Sequence, residues 1–111
     1  MNPYLSWLRG TIPQFVNANL DALGQLPRDQ LGQVRLTSWF RSAADNARVG
    51  GAAQSQHRLA LATDWVVPDR LRFMREMQRQ NLVAIDEGDH VHVQAFTSGA
   101  LSPVFSALFG A

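Results

Sequence analysis

The chain of 111 residues contains no cysteine and no lysine. Without cysteine it can form no disulfide and no zinc–thiolate site, so histidines and carboxylates must hold any metal that it binds. All ten basic residues are arginines, they are scattered along the chain, and the formal net charge is +1. Because nucleic-acid-binding proteins present a clustered basic surface, we expect no nucleic-acid partner.

Long apolar runs are missing as well. No run approaches the roughly 18 residues that a membrane-spanning helix needs, so we expect no membrane span. Residues 1–9 lack a basic start followed by an apolar core, so no signal peptide is expected, and export would depend on another route such as cell lysis. The hydrophobic fraction of 46% and the length predict one soluble domain over residues 1–111. A monomer is favoured.

Turn residues and apolar spacing divide the chain into an N-terminal helical part (1–30), a core (about 34–96) and an apolar tail (97–111). Two N-terminal helices are predicted, starting at Asn2-Pro3 and at Thr11-Ile12-Pro13. The remaining elements alternate in type, with strands at 34–40, 59–67, 82–85 and 90–96, a helix at 69–80 and a final helix at 101–109. This order predicts an α+β fold with a small antiparallel sheet and packing helices.

The three histidines fall in two segments of the predicted sheet. His57 and Asp64 are seven residues apart, and residues seven apart on one strand point to opposite faces. His57 must therefore lie in the turn before the strand if both side chains are to reach one ion. His90 and His92 share a face of the last strand. This placement indicates a zinc site formed by His57, Asp64 and His92, with one coordination position left for water.

Asp89 lies three residues before His92, in the turn that leads into the last strand. From there its carboxylate would take a proton from an attacking water and pass it to a leaving amine. Glu87, in the same turn, is the rival for this role. Spacing alone leaves a purely structural reading open, in which a His–Asp pair and an H-x-H arise by chance and Arg41 simply pairs with Asp45.

Several linked sequence blocks resemble the D-alanyl-D-alanine carboxypeptidase family of zinc peptidases, which includes vancomycin-resistance dipeptidases and phage peptidoglycan endopeptidases. The blocks run in the family's order and spacing from about Val34 to Gln94, over half of the chain. They are Thr37-Ser38-x-Phe40-Arg41-Ser42, Asn46-x3-Gly50-Gly51, Ser55-x-His57-x6-Asp64 and Asp89-x-Val91-His92-Val93.

The resemblance implies a fold of the Hedgehog/DD-peptidase type and a single Zn²⁺ ion. It implies a role for each matching residue: metal ligands His57, Asp64 and His92, general base Asp89, carbonyl-polarising His90, substrate-binding Ser55, and Arg41 facing the scissile carbonyl or a substrate carboxylate. It further implies a peptidoglycan stem peptide as the substrate and the periplasm or cell wall as the site of action, and it is compatible with a phage or prophage origin.

The sequence departs from the family pattern at Ala60, where the motif S-x-H-x-x-G-x-A-x-D has glycine. A methyl group is compatible with this position if the backbone stays in the β region. The alternative function is a non-catalytic, zinc-containing cell-wall-binding module on the same fold, and the presence of Asp89 and Arg41 counts against it. Three points stay open: carboxypeptidase against endopeptidase, with the short chain favouring the latter; the role of the apolar tail; and the oligomeric state.

Overall fold

The computed structural model describes residues 2–110. Its helices are α1 (Pro3–Leu23), α2 (Arg28–Leu31), α3 (Ala43–Arg48), a 3-10 helix (Gln56–Leu59), α4 (Arg70–Arg79) and α5 (Ser102–Phe109). Its strands are β1 (Arg35–Ser38), β2 (Ala62–Val66), β3 (Val83–Asp86) and β4 (Val91–Gln94). All strand pairs are antiparallel and the sheet order is β1-β2-β4-β3, which confirms the predicted α+β class with a small antiparallel sheet.

The central strands β2 and β4 have one apolar and one polar face. Trp65 pairs with Val91 on the apolar face, and Val91 and Val93 are fully buried there. Asp64 pairs with His92 on the other face. Because successive side chains of a strand alternate between the faces, the sequence T-D-W in β2 and V-H-V in β4 separates the hydrophobic core from Asp64 and His92.

The prediction of two N-terminal helices is wrong, because α1 is one continuous helix. It begins as expected, with the backbone N–H of Tyr4 donating to the Asn2 side chain at 2.8 Å. Proline inside a helix costs about 3 kcal/mol, yet α1 continues through Pro13. The buried residues of α1 lie on one face of the helix on both sides of the proline; they are Leu8, Phe15, Asn19 and Ala22. Burial of a large apolar side chain such as Leu8 or Phe15 stabilises the fold by roughly 1.5–3 kcal/mol, which offsets the cost of the proline.

Helix α4 packs on the same apolar face of the sheet. The predicted range 69–80 is nearly correct, because Asp69 caps the helix by accepting from the backbone N–H of Arg72 at 3.1 Å. Phe73 and Met77 are fully buried, and the Phe73 ring lies 5.8 Å from that of Trp65. Tertiary burial thus joins α1, α4 and the sheet in one hydrophobic core.

The strand predicted over 34–40 ends at Ser38 and the one predicted over 59–67 begins at Ala62. Both strands are shorter than predicted because the segment after β1 leaves the sheet and contacts the segment before β2. The indole N–H of Trp39 donates to the backbone oxygen of Ala60 at 2.8 Å, and the backbone N–H of Arg41 donates to that of His57 at 2.9 Å. Side-chain and loop contacts therefore replace strand pairing next to the polar face.

The apolar tail docks within the chain through α5. Val104 and Phe105 are buried, and the guanidinium of Arg58 lies 4.3 Å from the ring centre of Phe109. The hydroxyl of Ser102 donates to the side chain of Gln54 at 2.7 Å. Within residues 2–110, no helix has both the length and the apolar character that crossing a membrane requires.

Candidate metal centre

One row of paired residues crosses the polar face of the whole sheet. Ser38 on β1 pairs with Asp64 on β2, which pairs with His92 on β4, which pairs with Ile85 on β3. Directly opposite residues of antiparallel strands have Cβ atoms about 4.5–5.5 Å apart. Strand register alone therefore brings the carboxylate of Asp64 to the imidazole of His92, whose Nδ1 lies 3.0 Å from Asp64 Oδ1.

His57 reaches the same carboxylate from the 3-10 helix that precedes β2, which confirms its predicted place before the strand. Ser55 caps this helix, its hydroxyl accepting from the backbone N–H of His57 at 3.3 Å. The chain then turns through Ala60, whose backbone is left-handed with φ 60°. As a result His57 Nε2 lies 3.1 Å from Asp64 Oδ2 and the ring is almost fully buried.

The Ala60 backbone is therefore not in the β region that a methyl group would require for an unstrained fit. For an L-residue with a Cβ, the left-handed region costs roughly 1–2 kcal/mol, which glycine would avoid. This conformation gives a physical reason for the glycine that the motif has at this position. The methyl group itself is mostly buried, at 9% exposure.

In His57 and His92, the ring nitrogen that points away from Asp64 makes a hydrogen bond that fixes the tautomer. The backbone oxygen of Trp39 lies 2.5 Å from His57 Nδ1 and can only accept, so Nδ1 carries the proton and Nε2 has a lone pair. Gln94 donates through Nε2 to the backbone oxygen of Phe96, which directs its Oε1 to His92 Nε2 at 2.8 Å. His92 Nδ1 is then the nitrogen with a lone pair, and both lone pairs face Asp64.

His57 Nε2 makes this trio a candidate metal site. It is a buried nitrogen without a hydrogen bond, although Asp64 Oδ2 is only 3.1 Å away, because its lone pair faces an oxygen that can only accept. Tetrahedral zinc with bonds of about 2.0–2.2 Å holds neighbouring ligand atoms about 3.3–3.6 Å apart. The ligand atoms of His57, Asp64 and His92 all lie within 4.8 Å of one another. The three side chains are therefore close enough to converge on one zinc ion.

The electrostatics of the trio favour a cation. Burial raises the pKa of Asp64, but the imidazoles of His57 and His92 beside it outweigh burial and hold the pKa far below its ordinary value. Burial lowers the pKa of His92, but hydrogen bonds with Asp64 and Gln94 outweigh it and raise the pKa. The carboxylate thus stays ionised at neutral pH, and positive charge beside it is stabilised.

Arg41 is held against the metal-binding carboxylate. Its Nη2 lies 3.0 Å from Asp64 Oδ2, its Nε donates to the Ser38 hydroxyl at 3.1 Å, and its Nη1 donates to Asn46 Oδ1 at 3.3 Å. Asp45 instead lies 3.6 Å from Arg48. The structural alternative, an Arg41–Asp45 pair, is therefore not what the structure shows.

A cavity of about 630 Å³ opens over the trio, a size within the usual range for ligand sites. Its lining includes Arg41, Ser55, Glu87 and His90 besides the three candidate ligands. Ser55 both caps the 3-10 helix and lines this cavity. The structure brings together all of the predicted site residues except one.

That exception is Asp89, which does not line the cavity and has a side chain that is 90% exposed. Its Oδ1 lies 2.6 Å from His90 Nδ1, and the other nitrogen of His90, Nε2, lies 3.9 Å from Asp64 Oδ1. The hydrogen bond with His90 lowers the pKa of Asp89. In this arrangement His90 connects Asp89 to the cavity, while the carboxylate of Glu87 lines the cavity directly.

Sequence reasoning missed the residues that support the trio. Gln94 lies two positions after His92 and shares its strand face, so alternation could have identified it. Gln56 is buried beside His57, and its side chain both accepts from the N–H of Phe96 at 3.1 Å and donates to the oxygen of Phe96 at 2.6 Å. The backbone oxygen of Trp39 carries no sequence signal, because every residue has one.

An antiparallel sheet that presents a buried His–Asp–His trio to an open cavity is the kind of site that metallohydrolases use. The model of one family, described as peptidase M15, matches residues 5–94. The chain therefore belongs to the peptidase M15 family of zinc peptidases, which confirms the family predicted from the motifs. No curated protein and no solved structure shows a significant match to the chain.

Proposed function

We propose that the protein is a zinc-dependent peptidase that hydrolyses a peptide bond in the stem peptide of peptidoglycan. The observation that carries this proposal is the orphaned, buried His57 Nε2 beside Asp64 and His92, at the floor of a cavity that also presents Arg41 and His90. Membership of the peptidase M15 family supports peptide hydrolysis. The motif resemblance supports the peptidoglycan substrate, and hence action at the cell wall.

When bound, a zinc ion supplies a Lewis acid that acidifies a water molecule and polarises a carbonyl group. His57 Nε2, Asp64 and His92 Nδ1 would hold it. The Trp39 backbone oxygen and Gln94 keep the two rings in the required tautomers, and such supporting hydrogen bonds orient metal ligands.

The proton-transfer group on the cavity side is the Asp89–His90 pair. Because His90 Nδ1 donates to the ionised Asp89, His90 Nε2 has the lone pair, and it faces Asp64 at 3.9 Å. His90 would accept the proton of the attacking water and return it to the leaving amine, while Asp89 orients the ring and stabilises its charged form. Direct proton transfer to Asp89, as the resemblance implies, would require its exposed side chain to turn into the cavity.

Arg41 serves the substrate oxygen. A guanidinium has five N–H groups, and the protein uses one on each of its three nitrogens, which leaves two for a ligand. These groups face a cavity that Arg41 lines. A fixed guanidinium stabilises the oxygen of a carbonyl as charge develops on it.

The charges of the cavity favour an endopeptidase. A carboxypeptidase must bind the terminal carboxylate of its substrate, but Arg41 is the only arginine that lines the cavity in the part of the chain that the structure describes, and it is already paired with Asp64. Glu87 adds a carboxylate with no ion-pair partner among the same residues. These side chains therefore offer a terminal carboxylate no cation of its own, whereas an internal amide needs none.

Digestion of purified peptidoglycan by the zinc-loaded protein tests the proposal, with mass spectrometry of the released fragments. We expect fragments cut within the stem peptide, no release after removal of zinc with a chelator, and recovery when zinc is restored. Asp89→Asn should keep zinc and lose cleavage. A wild-type protein that binds zinc and leaves the wall intact would instead be the non-catalytic wall-binding module.

A further inference from the structure

The two adjacent glycines of the loop after α3 are required for different reasons. Gly50 has φ +73°, and a Cβ added there would meet nothing within 4 Å. Gly51 is not among the residues with positive φ, so backbone conformation does not call for glycine. A Cβ at Gly51 would instead lie 2.1 Å from Asn46 Oδ1 and 3.1 Å from Arg41 Nη1. The hydrogen of Gly51 leaves room for these two side chains.

Asn46 is the residue that Gly51 accommodates. Its side chain is on α3 and is almost fully buried, at 3% exposure. Its Nδ2 donates to the backbone oxygen of Ala52 at 2.8 Å, which fixes the orientation of the amide, and its Oδ1 then accepts from Arg41 Nη1 at 3.3 Å. The backbone N–H of Gly51 donates to the Asn46 backbone oxygen at 2.8 Å, so the two residues hold each other in place.

We propose that Asn46 and Gly51 are positioning residues that set the guanidinium of Arg41 against Asp64 and the cavity. Contacts lead in sequence from the Ala52 backbone to Asn46, from Asn46 to Arg41, and from Arg41 to Asp64 at 3.0 Å. The inference rests on the proposed peptidase function, since the position of Arg41 matters for catalysis only if a substrate oxygen binds there.

A purely loop-forming role would require positive φ at Gly51 or an open position, and the structure shows neither. Gly50 is the neighbour that meets both conditions. The pair therefore provides its own control: an added methyl group strains the backbone at the first glycine and displaces Asn46 and Arg41 at the second.

The test compares Gly51→Ala with Gly50→Ala in zinc affinity, thermal stability and peptidase kinetics. We expect Gly51→Ala to lower kcat/KM roughly 10- to 100-fold, the usual effect of losing a hydrogen bond that supports a functional group. Gly50→Ala should lower thermal stability and keep kcat/KM within about twofold of the wild type. Equal kinetic losses in the two variants, or full activity of Gly51→Ala, would overturn the proposal.

A double-mutant cycle separates positioning from general damage. In an Arg41→Ala background, Gly51→Ala should cost no further activity, because its effect acts through Arg41. The same loss in both backgrounds would contradict a positioning role. If Gly51→Ala fails to fold, Asn46→Asp replaces it in the same comparison. The substitution adds no volume, but its carboxylate would compete with Asp64 for the guanidinium of Arg41 and so move that group.

A spectroscopic arm remains informative even if the protein cleaves no peptidoglycan. The Nε–H of Arg41 donates to Ser38 at 3.1 Å, so its proton should give a resolved, slowly exchanging NMR signal in the wild type. We expect this signal to be lost in Gly51→Ala and kept in Gly50→Ala. Retention in both variants would refute the positioning role, whereas absence of activity with the expected signals would refute only the peptidase function.

Discussion

The candidate metal centre is placed by two different kinds of structure. Asp64 and His92 lie on neighbouring strands and are direct partners in the sheet. His57 lies on the short 3-10 helix and Arg41 on the loop after β1, and single contacts to the Trp39 backbone, Ser38 and Asn46 position them. We refer to Asp64 and His92 as the strand-borne side and to the residues on irregular segments, His90 included, as the loop-borne side.

The difference shows where the site can fail. Backbone pairing on both edges holds the strand-borne side, since β2 pairs with β1 and β4, and β4 pairs with β2 and β3. Changing one supporting side chain leaves that placement intact. On the loop-borne side each functional group depends on one or a few side-chain contacts. Substitutions that never touch the metal should therefore have their largest effects there.

Loss of the strand-borne carboxylate should have the largest effect of any substitution. Asp64→Asn keeps the shape of the side chain but removes the charge that faces His57, His92 and Arg41. We expect zinc affinity to fall by more than the roughly 10- to 100-fold that loss of a supporting hydrogen bond costs, and activity to disappear. Competition with a chelator of known affinity measures the loss.

Ile85→Ala is the matched control, because Ile85 occupies the same row of the sheet without a ligand atom. It should keep zinc affinity near that of the wild type. Wild-type zinc binding by Asp64→Asn would remove Asp64 from the metal site.

The next largest loss of activity is expected from substitutions in the turn before β4. Asp89→Asn and His90→Gln should each lower kcat by about 10²–10⁴-fold, the usual contribution of a general acid–base group. Zinc affinity should be unchanged in both, because neither residue is among the three candidate ligands. Glu87→Gln, at the cavity wall, should change kcat much less. Steady-state kinetics of the three variants test this assignment. A large loss of kcat in Glu87→Gln alone would identify Glu87 as the general acid–base group.

The strand-borne side was also the more predictable from sequence. Alternation of V-H-V is a local signal, and it was enough to put Asp64 and His92 on strands that can be neighbours in one sheet. The same two-residue period gave His57 its place in the turn. Arg41 lies outside any strand and shows no periodic pattern, so only the motif resemblance pointed to it as a site residue.

Other features could not be obtained from local rules. Thr11 and Pro13 are typical of a helix start, but burial of Leu8 and Phe15 along one stripe keeps α1 continuous. The left-handed backbone at Ala60 contradicts the preference of alanine, because the chain must turn there between the 3-10 helix and β2. In both cases tertiary packing overrides a local preference.

Stability of the metal-free protein should depend on pH through the strand-borne pair. The pKa of Asp64 lies below its ordinary 3.8, so its contribution is complete above that pH and is lost as pH falls through the lowered pKa. The pKa of His92 lies above its ordinary 6.5, so its contribution is complete below pH 6.5 and is lost as pH rises through the raised pKa. Maximal stability is expected between about pH 4 and 6.5.

Denaturant unfolding at a series of pH values checks this expectation. Asp64→Asn should flatten both limbs of the profile, since His92 loses its acidic partner as well. Zinc should remove the decline above pH 6.5, because metal binding requires neutral imidazoles. A metal-free protein whose stability rises steadily to pH 8 would show that the pair does not control the profile.

The smallest effect concerns strain on the loop-borne side. Ala60→Gly should raise the free energy of unfolding by about 1 kcal/mol, because glycine avoids the steric cost of the left-handed backbone, and thermal unfolding should shift upward by roughly 3–6 °C. Asn81→Gly is the control: its φ is also positive, at 61°, but asparagine tolerates this region, so the gain should be smaller. A loss of stability in Ala60→Gly would mean that burial of the methyl group outweighs the strain. The 3-10 helix that carries His57 would then depend on a packing contact as well as on its turn.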